Sequence, residues 1–251
     1  ASTALADLRV GTLNCFLCFD PAKPVESSIA DNGPSEEQYR KKVENLGSLV
    51  KGLDFVGLEE IGGENAASDI DKNAGGFRVL YVRGADTYTG ENVAALVRES
   101  SGIHVISAKR SPELDNLSKH LVVTLTEGNT RFAILVVHLL RPIGRNQEKH
   151  DRQLDSIRTW ARGIDAGTVV VVMGDFNDTA KKMLPLTDSA ALNDYAPTHL
   201  TNQTYDHIFT SGILSEVQIV RPAYPRRPND ETKMIWTDHF LVKATVAPPS
   251  K

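Results

Sequence analysis

The stretch Val169-Val170-Val171-Val172-Met173-Gly174-Asp175-Phe176-Asn177 decides how this chain is read. Four β-branched residues followed by a methionine form a strand that is apolar on both faces, so something must pack on either side of it. The run stops at a glycine. The acid and amide behind it therefore sit at the exposed end of a buried strand, where chemistry is expected. The same arrangement recurs further along, where Thr237-Asp238-His239 precedes the apolar Phe240-Leu241-Val242 and Tyr205-Asp206-His207 runs into Ile208-Phe209.

Other strand-like segments are Leu8 to Phe16, Phe55 to Leu58, Phe77 to Val82, Val93 to Val97, Leu121 to Leu125, Phe132 to Val137, Val217 to Val220 and Phe240 to Val246. Helical periodicity is confined to Glu36 to Val50, behind a Ser35 cap, and to Asp151 to Ala161, with Leu154, Ile157, Trp160 and Ala161 on one face. Many strands with few helices suit sheets packed on each other with helices outside, rather than a simple alternating parallel fold.

With 251 residues, 41% of them hydrophobic, the chain can bury roughly 70 to 75% of its unfolded surface. The Pro-rich and charged stretches at 20–37 and 221–233 are short enough to be loops. Residues 1–251 are therefore expected to form a single domain, and a monomer. A formal charge of −4 gives no general attraction for nucleic acid or anionic membranes, so an anionic substrate must be recognised locally. The apolar runs are too short to span a bilayer. The chain opens Ala1-Ser2-Thr3-Ala4 without Met or an apolar leader. That fits a processed product, with a secreted or periplasmic location after signal removal as the expectation.

Cys15 and Cys18 form a lone Cys-x-x-Cys, which has a redox and a half-zinc-site reading. With no second pair and no helix start after Cys18, buried thiols without a chemical role fit better.

Polar residues close these strands with unusual regularity: Asn14, Glu60, His138, Asp175 with Asn177, Asp206, and Asp238 with His239. A hard cation such as Mg²⁺ takes oxygen ligands, which Asp, Glu and Asn supply. His is a poor ligand for it but exchanges protons near neutral pH. Carboxylates and two imidazoles on separate strands point to metal-assisted hydrolysis at an anionic centre.

In order along the chain, Asn14, Leu58-Glu59-Glu60, Val137-His138-Leu139, Gly174-Asp175-Phe176-Asn177, Tyr205-Asp206-His207-Ile208 and Thr237-Asp238-His239 resemble the motifs of the endonuclease/exonuclease/phosphatase superfamily. That superfamily includes pancreatic-type deoxyribonuclease, abasic-site endonucleases, neutral sphingomyelinases and inositol polyphosphate phosphatases. Each motif alone arises by chance; six in the right order, spanning residues 8 to 246, are specific.

The resemblance implies an α/β fold, a four-layer α/β/β/α sandwich with two mixed sheets packed face to face. Glu60 would be the main carboxylate on Mg²⁺ (or Mn²⁺), completed by Asn14 and Asp238. Asp175 would orient or deprotonate the attacking water, and Asn177 would hold a phosphate oxygen. His239, oriented by Asp206, would bond the scissile phosphate or move a proton. Deoxyribonuclease-like members pair the His at the His138 position with a Glu before a strand ending in Arg, where the abasic-site branch uses a Tyr. Glu91, ahead of Val93 to Val97 and Arg98, matches the first pattern and implies a Glu91–His138 pair that protonates the leaving oxygen. Tyr88 keeps the second pattern open.

Substrate contacts fall to loops. Arg141 and Arg145 follow His138, while Arg226, Arg227 and Trp236 precede Asp238. They are placed to meet flanking phosphates and, for Trp236, to stack on a base. The plainer reading makes these loops solvated faces, with Arg221, Arg226 and Arg227 paired to Asp230 and Glu231. Glu59 reads as a hydrogen-bonded or solvent-facing neighbour of Glu60. His104, His120, His150 and His199 carry no motif and read as surface or core residues.

The resulting expectation is a metal-dependent phosphodiesterase, a nuclease hydrolysing DNA and also RNA with modest sequence preference. A phosphomonoesterase or lipid phosphodiesterase on the same scaffold, or a catalytically silent binding protein, are the alternatives.

Overall fold

The computed structural model describes residues 7–23, 29, 32–99, 102–179, 197–223 and 229–249. Two mixed sheets face each other. The first holds β10 (Ile213–Val220), β11 (Leu241–Ala247), β1 (Leu8–Cys18), β2 (Phe55–Ile61), β4 (Asn92–Arg98) and β3 (Phe77–Tyr81), in that order. The second holds β5 (Ile103–Lys109), β6 (His120–Glu127), β7 (Thr130–His138), β8 (Thr168–Asp175) and β9 (Asp206–Thr210). Only β1–β2 and β7–β8 are parallel. The helices α1 (Glu36–Val50) and α3 (Gln147–Arg162) make the crossovers that parallel pairing requires. Among the described residues the other α-helices are α2 (Glu64–Ala74) and α4 (Asp230–Ile235).

The strand that opened the sequence reading shows why this is a four-layer sandwich. Val169, Val171 and Met173 enter the cluster shared by both sheets, where they meet Leu8, Val10, Phe55 and Val246. Val170 and Val172 point the other way, into a cluster with Leu154, Ile157 and Trp160 of α3. On the far side Val43, Leu46 and Val50 of α1 cover Leu13, Val56 and Leu58. The expected Ser35 cap starts α1 as a reciprocal box with Gln38, whose backbone N–H meets the Ser35 hydroxyl while its side-chain oxygen accepts the Ser35 N–H.

Three elements escape the periodicity rules: β5, α2 and α4, the last lying in a stretch that reads as a charged loop. β5 is a sheet edge exposed at His104, Ile106 and Lys109, and a register shift between Val105 and Ser107 breaks its alternation. α2 lacks a side-chain cap and starts at Gly63. The long expected helix over 151–161 begins earlier, at Gln147.

Candidate active site

Strand parity places the site. Residues of the inner faces alternate as Val10, Thr12, Asn14 on β1, as Ile134, Val136, His138 on β7, and as Val171, Met173, Asp175 on β8. Ile208 of β9 extends back to Asp206, Val93 of β4 to Glu91, and Leu121 of β6 to Lys119. Each column thus continues into a polar residue one step past its last apolar one, and all of them end on the same rim. It is the rim where the parallel strands have their carboxyl ends, the usual place for ligands in such sheets.

At the centre is Asp175. Gly174 before it has φ +143°, and a Cβ there would fall 1.9 Å from the Val137 carbonyl oxygen, so only glycine lets β8 deliver Asp175 here. The Asp175 Oδ2 atom lies 2.9 Å from Asn14 Nδ2, 3.7 Å from His138 Nε2 and 3.8 Å from His239 Nε2. Its Oδ1 accepts the Asn177 N–H at 2.7 Å. Burial pushes the Asp175 carboxyl up to about 7; His239 opposes this shift, and the Asp206 charge adds to it.

Glu60 reaches the site by breaking alternation. Val56 and Leu58 face α1, so a regular strand would send Glu60 outward with them. Instead β2 bulges between Leu58 and Ile61, and Glu60 adopts φ +56°. Its carboxylate then accepts Asn14 Nδ2 at 3.0 Å and the Leu17 N–H at 3.0 Å, with His138 Nε2 at 3.9 Å. Glu59 turns inward, fully buried, and takes a 2.7 Å bond from the Thr12 hydroxyl. It does not face solvent, and burial drives its pKa well above the ordinary value.

Asn14 links the two carboxylates: its oxygen accepts the Phe16 N–H at 2.9 Å, and its NH₂ group bridges Glu60 and Asp175.

The two imidazoles differ. His239 Nδ1 is 2.8 Å from Asp206 Oδ2, the pairing expected from sequence. Burial alone would lower the His239 pKa, but Asp206, then Asp175 and Asp238, hold it well above 6.5. The expected Glu91–His138 bond, in contrast, does not form. Lys119 takes the Glu91 carboxylate in a very short contact and reaches Asp86 at 3.1 Å. Ligand atoms of Glu60, Glu91 and His138 still lie within 4.8 Å of one another. Burial, then the Lys119 and His239 charges, push His138 well below 6.5, and its Nδ1 is buried without a hydrogen-bond partner. Burial and Glu60 raise Glu91 to about 7 despite Lys119.

His199 and Lys119 are site residues that the motifs missed. Residues 198–200 pair with 238–240 through Phe240 N to Thr198 O (2.7 Å) and Leu200 N to Asp238 O (2.9 Å). His199 thereby lies edge-on to His239, with ring centroids 4.6 Å apart. His199 Nδ1 meets the Thr201 N–H at 3.0 Å and the Thr201 hydroxyl at 2.6 Å, and its Nε2 lies 3.3 Å from Asp238 Oδ2. Burial raises the Asp238 carboxyl, but the His199 bond and the His239 charge outweigh it and hold the group below its usual range. Nothing in the sequence around His199 announces this; Lys119, by contrast, was legible as the residue two before Leu121.

Asn177, at φ +54°, gives one amide proton to the Leu139 carbonyl at 2.9 Å. Arg141 and Arg145 are exposed on the loop leaving β7. Trp236 is half-buried at the end of α4. Arg226 and Arg227 lie outside the described residues. Cys15 and Cys18 are free and buried, and burial raises Cys18 to about 12, so neither is a thiolate near neutral pH.

The donor set fits a hard divalent cation. Asp238 Oδ1 and Asp206 Oδ1 are buried carboxylate oxygens without a hydrogen-bond partner, and among the described residues the ligand atoms gather as Glu60, Glu91 and His138, as Asp175, Asp206 and His239, and as His199, Asp238 and His239.

The model of the endonuclease/exonuclease/phosphatase family matches residues 11–249, and the chain belongs to that family, whose members are phosphoric-ester hydrolases. Solved structures share its fold. TDP2 from Caenorhabditis elegans superposes with a TM-score of 0.69 at 15% identity, over 96% of this chain and 74% of that one. Beta toxin from Staphylococcus aureus gives 0.67 at 15% identity, over 94% and 99%. The D. rerio TDP2 complexed with a single-strand DNA product gives 0.67 at 14% identity, over 96% and 98%. No match was found among the curated proteins.

Proposed function

We propose that this protein is a Mg²⁺- or Mn²⁺-dependent phosphodiesterase that cuts DNA. The observation that carries the reading is the Asp175 hub, where one carboxylate oxygen lies within 3.8 Å of two imidazoles and an amide, each from a different strand end. Glu60 and Asp238 would hold the cation, whose charge, when bound, stabilises the negative charge that grows on the phosphate oxygens.

Asp175 takes a proton from the attacking water, a task suited to a carboxyl raised to about 7. His239, kept charged by Asp206, donates to the phosphate and supplies the proton that the leaving oxygen needs. Asn177 presents its second N–H to a nonbridging oxygen, and neutral His138 orients the water or phosphate through Nε2. Exposed Arg141 and Arg145 meet the flanking phosphates. The DNA product held by a structural relative supports a nucleic-acid substrate.

One observation favours a second reading. Ile143 is 63% exposed between those arginines and Tyr88 is 73% exposed, which would suit a phospholipid surface. Plasmid DNA, single-stranded DNA, RNA, an inositol phosphate and sphingomyelin vesicles, each with Mg²⁺, Mn²⁺ or chelator, separate these. Metal-dependent DNA cleavage is expected. Cleavage that survives chelator, or turnover of sphingomyelin alone, overturns the proposal.

A further inference from the structure

We propose that Lys42, a helix residue that touches no catalytic side chain, is the positioning residue that brings the two halves of the cation site into register. The inference rests on the reading of Glu60 and Asp238 as cation ligands. Lys42 lies on α1 and is fully buried, with no carboxylate partner among the described residues. Its ammonium instead meets four backbone carbonyls: Trp236 at 2.6 Å, Phe16 at 2.8 Å, Cys15 at 2.9 Å and Lys233 at 2.9 Å.

Those carbonyls come from two segments about which the site turns. Cys15 and Phe16 belong to the end of β1, where Phe16 and Leu17 adopt φ +48° and +49°. Consecutive left-handed residues without a glycine need support from their surroundings. That turn is what aims the Phe16 N–H at Asn14 and the Leu17 N–H at Glu60. Lys233 and Trp236 bracket the end of α4, immediately before Thr237 and Asp238. The Thr237 hydroxyl completes the tie with a 2.6 Å bond to the Asn14 carbonyl. Asn45, on the same helix, holds the Ile235 carbonyl at 2.8 Å.

Chain segments more than two hundred residues apart in sequence thus share one buried cation. Three ammonium protons serve four carbonyls, so the geometry uses every donor the residue has. A methionine there would fill the space but leave those carbonyls without a donor, and each segment would be free to turn its carbonyls elsewhere. Glu60 and Asp238 would then have to be brought together by the divalent cation itself.

The test is Mn²⁺ binding by calorimetry on the whole chain, alongside the Mn²⁺ dependence of turnover. Lys42→Met should weaken Mn²⁺ binding by about tenfold or more, the scale of outer-sphere effects on metal affinity, and excess Mn²⁺ should restore turnover. Leu46→Ala opens the same helix–sheet core but leaves the ammonium in place, so it should lose thermal stability and keep wild-type affinity. Asn45→Ala should move affinity in the same direction with smaller amplitude, and it carries the test if Lys42→Met does not fold. Unchanged affinity in folded Lys42→Met, or in Asn45→Ala when that variant stands in, overturns the inference. So does an equal loss in Leu46→Ala. A wild-type protein that binds no Mn²⁺ removes the cation reading itself and this inference with it.

Discussion

His138 ends the inner face of β7 and His239 lies just ahead of β11; both lie within 4 Å of the same Asp175 oxygen, and yet their pKa values are pushed in opposite directions. The His239 side of the site surrounds its ring with Asp206, Asp238 and Asp175. The His138 side places Lys119 nearby and leaves Nδ1 without a partner. Burial lowers both pKa values, so the sign of the neighbouring charges decides which imidazole keeps its proton. One residue type is thus tuned in opposite directions within a single site.

The largest effect should come from removing what the two sides share. Asp175→Asn is expected to lower turnover by about 10³-fold, the range a positioned base contributes, with the fold unchanged by circular dichroism. Residual turnover within a few-fold of wild type would mean that neither imidazole works through Asp175. Next in size is Asp206→Asn, which should cost about 10- to 100-fold in rate. Its distinguishing readout is the His239 titration by NMR, which should move down toward 6.5 because Asp206 is the main influence raising it. A stationary titration would show that Asp175 and Asp238 suffice.

Lys119→Met tests the other side and should cost about tenfold in rate. It removes a charge that depresses His138, so that titration should move up, while His239 should hardly change. Equal movement of both rings would erase the comparison.

The smallest effect on turnover, and the clearest on stability, belongs to Glu59→Gln. Burial holds the Glu59 pKa well above 4.5 in the folded chain. Between that ordinary value and the raised one the unfolded chain ionises while the folded chain does not, so stability falls as pH rises, by up to about 1.4 kcal/mol per pH unit. Glutamine cannot ionise. The variant should therefore match wild type below pH 4.5 and gain on it steadily above, as read by denaturant titrations across pH; parallel curves would contradict the neutral Glu59.

How much of this was legible follows from the same physics. The valine run of β8 needs two partners, and it has them. The Ser35 cap and the apolar face of α1 fix that helix to the residue. The pattern that names Glu91 pairs it with His138, whereas Lys119, two residues ahead of Leu121 in a loop-like stretch, takes its carboxylate. Glu60 could be named as a site residue, but the bulge that delivers it depends on backbone strain no alternation rule contains. His199 reaches the site through pairing with 238–240, a tertiary event without a local signature. Lys42 is hidden in the run Arg40-Lys41-Lys42, where sequence alone gives three solvated charges and the fold buries one.

The inner columns of both sheets finish in chemistry one residue beyond their apolar partners. Everything past that rim is connecting loop, such as the exposed segment that bears Arg141, Ile143 and Arg145. Retargeting by loop grafting should accordingly be feasible here: exchange of that segment alters what docks while the hydrolytic apparatus keeps its anchorage. A graft that begins at His138 itself would forfeit that separation.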